Sequence, residues 1–233
     1  FIDKEAFVRG NSTYLPGEVI PMLPKKLSND LCSLKKNCLR PCITLKMKID
    51  KEGKVTKYEI FRSIIKVKIS FTYEEINEII EGKKKIKKFS TVVNDIYKAY
   101  KTILKQKILR DPLKLLSEEI QIEFDKKNNI ENIFVKENLE AHKIIEEFMI
   151  LANSCIAKQL SEINSEIIYR IHENPDSEKI RNLRKLLKSL KINSSNFNFT
   201  DSFDFNKIIE NQNNNKIKQI IQKFFLKSMK QAK

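Results

Sequence analysis

The sequence predicts an α+β fold, a mixed sheet with packed helices, on three observations. From Ile43 to Phe71 apolar and polar residues alternate on either side of Asp50-Lys51-Glu52-Gly53, as a half-buried antiparallel pair joined by a turn requires. A second alternating pair, Ile120 to Phe124 and Ile130 to Val135, flanks the turn-forming Lys126-Lys127-Asn128-Asn129. Around these run apolar stripes at helical spacing. The longest extends from about Leu139 to Leu160 and places Ala141, Ile144, Ile145, Phe148, Ala152, Cys155, Ile156 and Leu160 on one side.

The remaining elements follow in chain order. Residues 1 to 42 contain Pro16, Gly17, Pro21, Pro24 and Pro41, which deny a long helix and predict a shaped loop region. Thr72 and Glu75 form a capping-box pattern before Ile76, Ile79 and Ile80, so a short helix is expected there, ended by Gly82. Val92, Val93, Ile96, Tyr97, Tyr100, Ile103, Leu104 and Ile108 predict a second helix, broken by Asp111-Pro112. Ile167 to Ile171 reads as a short strand, and Asp176 or Ser177 as the cap of a helix ending near Leu190. Asn193 to Asn206, rich in Asn, Ser and Phe, reads as a loop or linker, and the last helix runs from Lys216 to about Gln231. No internal repeat is present, and 233 residues suit a single domain.

Composition narrows the classes. No apolar run approaches the roughly 20 residues that cross a bilayer, so no membrane is expected as a partner. Four cysteines without paired C-x-x-C spacing make neither a disulfide framework nor a structural zinc site, and a reducing cytoplasm suits them. Lys and Arg number 45 against 30 Asp and Glu, a net charge of +15 that attracts polyanions such as RNA. Part of this excess reflects abundant Lys, Asn and Ile, the profile of an AT-rich coding sequence. The chain opens at Phe1 with no signal-peptide pattern and stops after a helical pattern at Lys233, and is expected to be an internal piece of something longer.

Chemical motifs are sparse. Neither G-x-x-x-x-G-K-[ST] nor G-x-G-x-x-G occurs, and His142 and His172 are the only histidines, with no nucleophile elbow to join them. Asp201 and Asp204 read as solvated loop acids, Lys83 to Lys88 as a solvated loop, Cys32 as a small buried thiol and His172 as a ring satisfied by backbone. His142, Glu146, Met149 and Asn153 form a row flanking the long helix's apolar stripe. That row either faces a cleft or is ordinary surface, with Glu147 paired to Lys143. Tyr14 and Tyr73 either stack on bases or pack against their neighbours.

Residues 12 to 34, STYLPGEVIPMLPKKLSNDLCSL, closely resemble a segment of the RNB catalytic domain of the ribonuclease II and ribonuclease R family. EAHKIIEEFMILAN from Glu140 to Asn153, YRIHENPDSEKI from Tyr169 to Ile180 and FLKSMKQA from Phe225 to Ala232 resemble further blocks in the same order. The resemblance implies the central portion of one RNB-type domain, residues 1–233, in an enzyme that degrades single-stranded RNA from its 3′ end to nucleoside monophosphates. It also implies magnesium held by an aspartate cluster that in the family lies upstream of the matching segment. A later arginine segment and flanking OB-fold domains complete the family's pattern.

By the same resemblance Tyr14 stacks on the terminal base, while Tyr73 and Glu146 read the ribose. Where the family has a second clamping aromatic, the chain reads Leu113-Lys114-Leu115-Leu116, and Leu115 is expected to press on a base instead. No catalytic residue is expected among residues 1–233, and the oligomeric expectation is a monomer. The alternative is a catalytically silent RNA-binding protein retaining the central portion of the fold.

Overall fold

A computed structural model describes residues 1–233 apart from Lys87, Leu116, Ser117, Glu118, Asn128, Thr200, Asp201 and Lys233, and apart from the side chains of Glu119 and Ser202. Two compact units are present, one of Phe1–Ile103 with Glu118–Ile156, the other of Leu104–Ser117 with Ala157–Lys233.

The first unit begins with α1 (Ile2–Arg9) and the short hairpin β1 (Thr13–Leu15) and β2 (Glu18–Ile20), followed by a π-helical turn at Leu27–Leu31. Next come the long ribbon β3 (Leu39–Ile49) and β4 (Val55–Lys66), α2 (Tyr73–Ile80), α3 (Phe89–Arg110), the hairpin β5 (Glu119–Phe124) and β6 (Ile130–Lys136), and α4 (Glu140–Glu162), the ends of α3 from Leu104 and of α4 from Ala157 counting with the second unit. The α+β class holds. Among the described residues, however, the strands form three two-stranded antiparallel ladders rather than one mixed sheet, because each pair is closed by its own short turn. Among the described residues the one parallel element is an isolated bridge between Lys36 and Val67.

The ribbon turns where Asp50 Oδ1 accepts from the backbone N–H groups of Glu52 and Lys54 at 3.0 and 2.8 Å, with Gly53 at φ 84°. Its alternation is only partly as expected. Leu45, Met47 and Ile49 are half-buried, but Ile43 is 72% exposed. In that half of the ribbon the covered face carries Cys42, Thr44 and Ser63 instead, with the Thr44 and Ser63 hydroxyls 2.6 Å apart. The capping box of α2 forms as read: Thr72 Oγ1 accepts from Glu75 N–H at 3.2 Å, and the Glu75 carboxylate accepts from Thr72 N–H at 3.1 Å.

The second unit contains α5 (Ser177–Ser189), α6 (Ser202–Glu210) and α7 (Asn215–Ser228). Asp176 and Asn214 cap α5 and α7 by accepting from backbone N–H groups of the first turn. Its core gathers Leu183, Leu187, Phe199, Phe205, Ile221 and Phe225, with the Phe205 and Phe225 rings 4.1 Å apart.

Two expectations for this unit are corrected. Ile167 to Ile171 is not a strand, since no partner strand supplies a ladder. Asn193 to Asn206 is not a free linker: Arg184 donates to the carbonyls of Ser194 and Phe197, Phe199 is buried, and α6 begins at Ser202. Among the described residues no helix is long and apolar enough to cross a membrane.

Candidate functional site

Tyr14 stands in a hairpin whose turn is dictated by Pro16-Gly17. Proline fixes the first central φ negative, and Gly17 supplies φ 79° at the second, the combination of a type II turn. Tyr14 lies opposite Val19 and is 78% exposed, its ring open to solvent. Ser12 Oγ closes the hairpin by accepting from Met22 N–H at 3.0 Å, and Arg9 ties α1 to it through the Pro21 carbonyl at 3.0 Å. A Cβ on Gly17 would lie 3.3 Å from the Phe124 ring, so β5 buttresses the turn that carries Tyr14.

The loop after this hairpin is held by charge. Asp30 pairs with Lys35 at 2.8 Å and Lys26 at 3.1 Å, and Arg40 reaches its carbonyl and that of Ser33. The hydrogen bond from Lys35, then that from Lys26, lowers the Asp30 carboxyl from 3.8 to about 2. A depressed carboxyl stabilises the fold above its unfolded value and loses that contribution as pH falls through the folded one. The melting-temperature difference between the wild type and Asp30→Asn should therefore be present at pH 5 and shrink between pH 3.8 and about 2. A difference that stays constant over that window would reject the ion-pair account. Cys32, expected buried, is exposed at the end of this loop, and His172 is exposed as well. Cys32, Cys38 and Cys42 are free thiols.

Tyr73 is the first residue of α2, and its ring stacks on that of His142 in α4, centroids 4.0 Å apart and planes 19° from parallel. Glu146 follows one turn along α4 and is exposed, so helical spacing sets it on the same side as His142. Tyr73 and Glu146 are thereby brought to one locus. Among the described residues no hydrogen bond, ion pair or ring contact joins Tyr14 to them, although all three belong to the first unit.

The row expected on α4 faces solvent at Glu146, Met149 and Asn153. The alternative pairing of Glu147 with Lys143 is not formed. Lys143 instead pairs with Glu140 at 2.9 Å, and Glu147 is only 1% exposed. Sequence reasoning missed this buried acid, although its position three residues after Ile144 puts it on the apolar stripe. An apolar cavity of about 290 Å³ opens beside Tyr73, lined by Phe71, Ile76, Val93, Ile96, Ile144 and Ile145 among others.

Leu115 belongs to the second unit and is 44% exposed. Its segment is pinned by Asn206, whose Oδ1 accepts from Lys114 N–H at 2.9 Å and whose Nδ2 donates to the Pro112 carbonyl at 3.0 Å and to Asp111 Oδ1 at 3.1 Å. In the lysine run, Lys84 pairs with Glu75 at 2.9 Å and Lys83 with Glu81. These pairs lower both carboxyls and raise both ammonium groups. Lys87 lies outside the described residues.

The described residues do not fit the magnesium that the resemblance implies. No three His, Cys, Asp or Glu side chains among them gather to hold a cation. Asp204, expected to be a solvated acid, accepts from the backbone N–H groups of Asn198 at 2.7 Å and Phe199 at 3.1 Å. Its neighbour Asp201 lies outside the described residues.

The chain matches the RNB domain family over residues 1–233. It is 32% identical to ribonuclease R of Thermotoga maritima over 99% of this chain and 33% of that protein. To ribonuclease R of Escherichia coli it is 32% identical, over 99% of this chain and 29% of that one. Its fold is similar to that of Mycoplasma genitalium RNase R in complex with ribose methylated single-stranded RNA, with a TM-score of 0.88 and 26% identity over 99% of this chain and 37% of that one. The chain thus spans about a third of the length of the curated relatives it matches.

Proposed function

The chain belongs to the RNB-domain family, and we propose that it is the substrate-gripping central portion of a ribonuclease R-type 3′→5′ exoribonuclease. The substrate is the 3′ end of single-stranded RNA, released as nucleoside monophosphates. The observation that carries this reading is the solvent-facing placement of Tyr14, Tyr73 and Glu146 on one compact unit, with Tyr73 and Glu146 at one locus. An exposed ring such as Tyr14 offers a face on which any base stacks. A carboxylate such as Glu146 accepts a hydrogen bond from a 2′-hydroxyl, for which DNA has no counterpart. Leu115, in the second unit, is half-exposed and offers an apolar side to a base in its own right. Magnesium, if used as the family resemblance implies, would supply the attacking water and would be held by the family's upstream aspartate cluster, and the net charge of +15 draws the phosphate backbone in.

Binding of a 5′-fluorescein oligoadenylate and its deoxy counterpart tests these roles separately. Tyr14→Ala should weaken both ligands by about 1–3 kcal/mol, the range for one lost base stack. Glu146→Ala should weaken RNA alone and so erase the preference for ribose. An unchanged RNA-to-DNA ratio in Glu146→Ala would remove the sugar-reading role. Equal binding by wild type and Tyr14→Ala would remove the stacking one.

A further inference from the structure

We propose that His142 is a positioning residue: its imidazole sets the plane of the Tyr73 ring and so aims the Tyr73 hydroxyl at the sugar that Glu146 also contacts. This rests on the ribose-reading assignment of Tyr73 and Glu146, and adds the part that would hold them in register.

Three observations carry it. The two rings are nearly parallel at 4.0 Å, the separation at which a flat face restrains its partner's rotation. The backbone under Tyr73 is already fixed, because Tyr73 lies between Thr72 and Glu75, the two partners of the reciprocal capping box. The stack therefore governs much of the side-chain freedom that remains. His142 Nδ1 is buried with no hydrogen-bond partner among the described residues, a cost to stability that an aliphatic residue at this position would avoid. What the imidazole offers over leucine at this place is its flat face.

The position on α4 also matters. His142 and Glu146 are four residues apart and share a side of the helix. A ring held against His142 is consequently held at a set distance from the Glu146 carboxylate. The carboxyl of Glu74, in the first turn of α2, is lowered by the hydrogen bond from its own backbone N–H and by that from the Thr72 hydroxyl, with smaller contributions from His142 and Lys136. An electrostatic role for His142 through Glu74 is thus the rival explanation. Phenylalanine separates the two, since it keeps the flat face and carries no charge.

The test measures dissociation constants of the 233-residue chain for a 5′-fluorescein oligoadenylate and its deoxy counterpart. The variants are His142→Phe, His142→Leu, His142→Ala, Tyr73→Ala and the double variant H142A/Y73A, each checked for cooperative melting. Loss of the stack should lower the RNA-to-DNA preference about three- to tenfold in His142→Ala and His142→Leu. His142→Phe should restore it, and His142→Ala should have no further effect once Tyr73 is alanine. Should His142→Ala fail to fold, His142→Leu, which fills the space without a planar face, is read in its place.

Unchanged preference in His142→Leu, or additive losses in the double variant, overturns the positioning role while leaving the ribose assignment standing. Failure of His142→Phe to restore preference favours the charge on Glu74 and overturns it equally. Unchanged preference in Tyr73→Ala, or no binding of RNA by the wild-type chain, overturns the ribose assignment itself and this role with it.

Discussion

Replacing Phe205 with alanine should destabilise the C-terminal unit by about 3–5 kcal/mol, the range for removing a fully enclosed phenyl ring. Phe205 is 0% exposed. Its ring lies 4.1 Å from that of Phe225 at an interplanar angle of 22°, in a cluster with Leu183, Leu187 and Ile221. The ring joins α6 to α5 and α7, so its loss leaves a cavity that none of the three helices can close alone. Chemical denaturation followed by circular dichroism measures the effect. A loss below about 1 kcal/mol would mean that the cluster does not hold α6 in place.

The second large effect is expected one residue further on. Asn206 is 2% exposed, and its amide meets three groups of the segment after α3: the Lys114 N–H, the Pro112 carbonyl and the Asp111 carboxylate. Asn206→Leu keeps the same branched outline and removes all three of these hydrogen bonds. A loss of about 2–3 kcal/mol follows, since an abandoned part-buried polar group costs more than a made hydrogen bond contributes. Hydrogen exchange should report it locally, as faster exchange of the Lys114 amide than the global loss of stability requires. An unaltered Lys114 amide would show that the segment bearing Leu115 is held by something else. Because Phe205 and Asn206 are adjacent, the two losses should not add in the double variant.

Much of the fold could be read where period and chemistry agree locally. The Thr72 to Glu75 capping box, the α5 cap at Asp176 and the span of α4 all form where their residues predict them, although Ile145 of the expected α4 stripe is exposed. What stayed hidden was decided by partners distant in sequence. α1 buries no residue and so displays no apolar stripe to read. α6 starts in a Ser, Asn and Phe-rich stretch of poor helix formers, and packing of Phe205, Ile208 and Ile209 into the C-terminal core overrides that preference. Conversely, Ile167 to Ile171 has β-branched residues in abundance but nothing to pair with.

The candidate site divides in the same way. Residues 1 to 42 read only as a shaped loop, although Pro16-Gly17 favours the type II turn of the hairpin that carries Tyr14. The pair Glu146 and Glu147 was visible as a pair, but their opposite fates follow from the phase of α4, in which Glu147 shares the buried side with Ala141, Ile144 and Cys155. The stack of Tyr73 on His142 joins residues 69 positions apart, and no spacing rule applied to a single sequence reports such a meeting.

The ribbon of β3 and β4, 11 and 12 residues long, bears on how copies of the chain behave toward one another. Apart from the bridge at Val67, its two outer margins offer backbone groups that no described strand satisfies, which is the template on which like strands aggregate. The strands themselves carry Arg40, Lys46, Lys48, Lys57, Arg62 and Lys66 against the single acid Glu59. Mutual repulsion between such ribbons keeps neighbouring molecules apart in dilute buffer. Concentrated electrolyte weakens that repulsion.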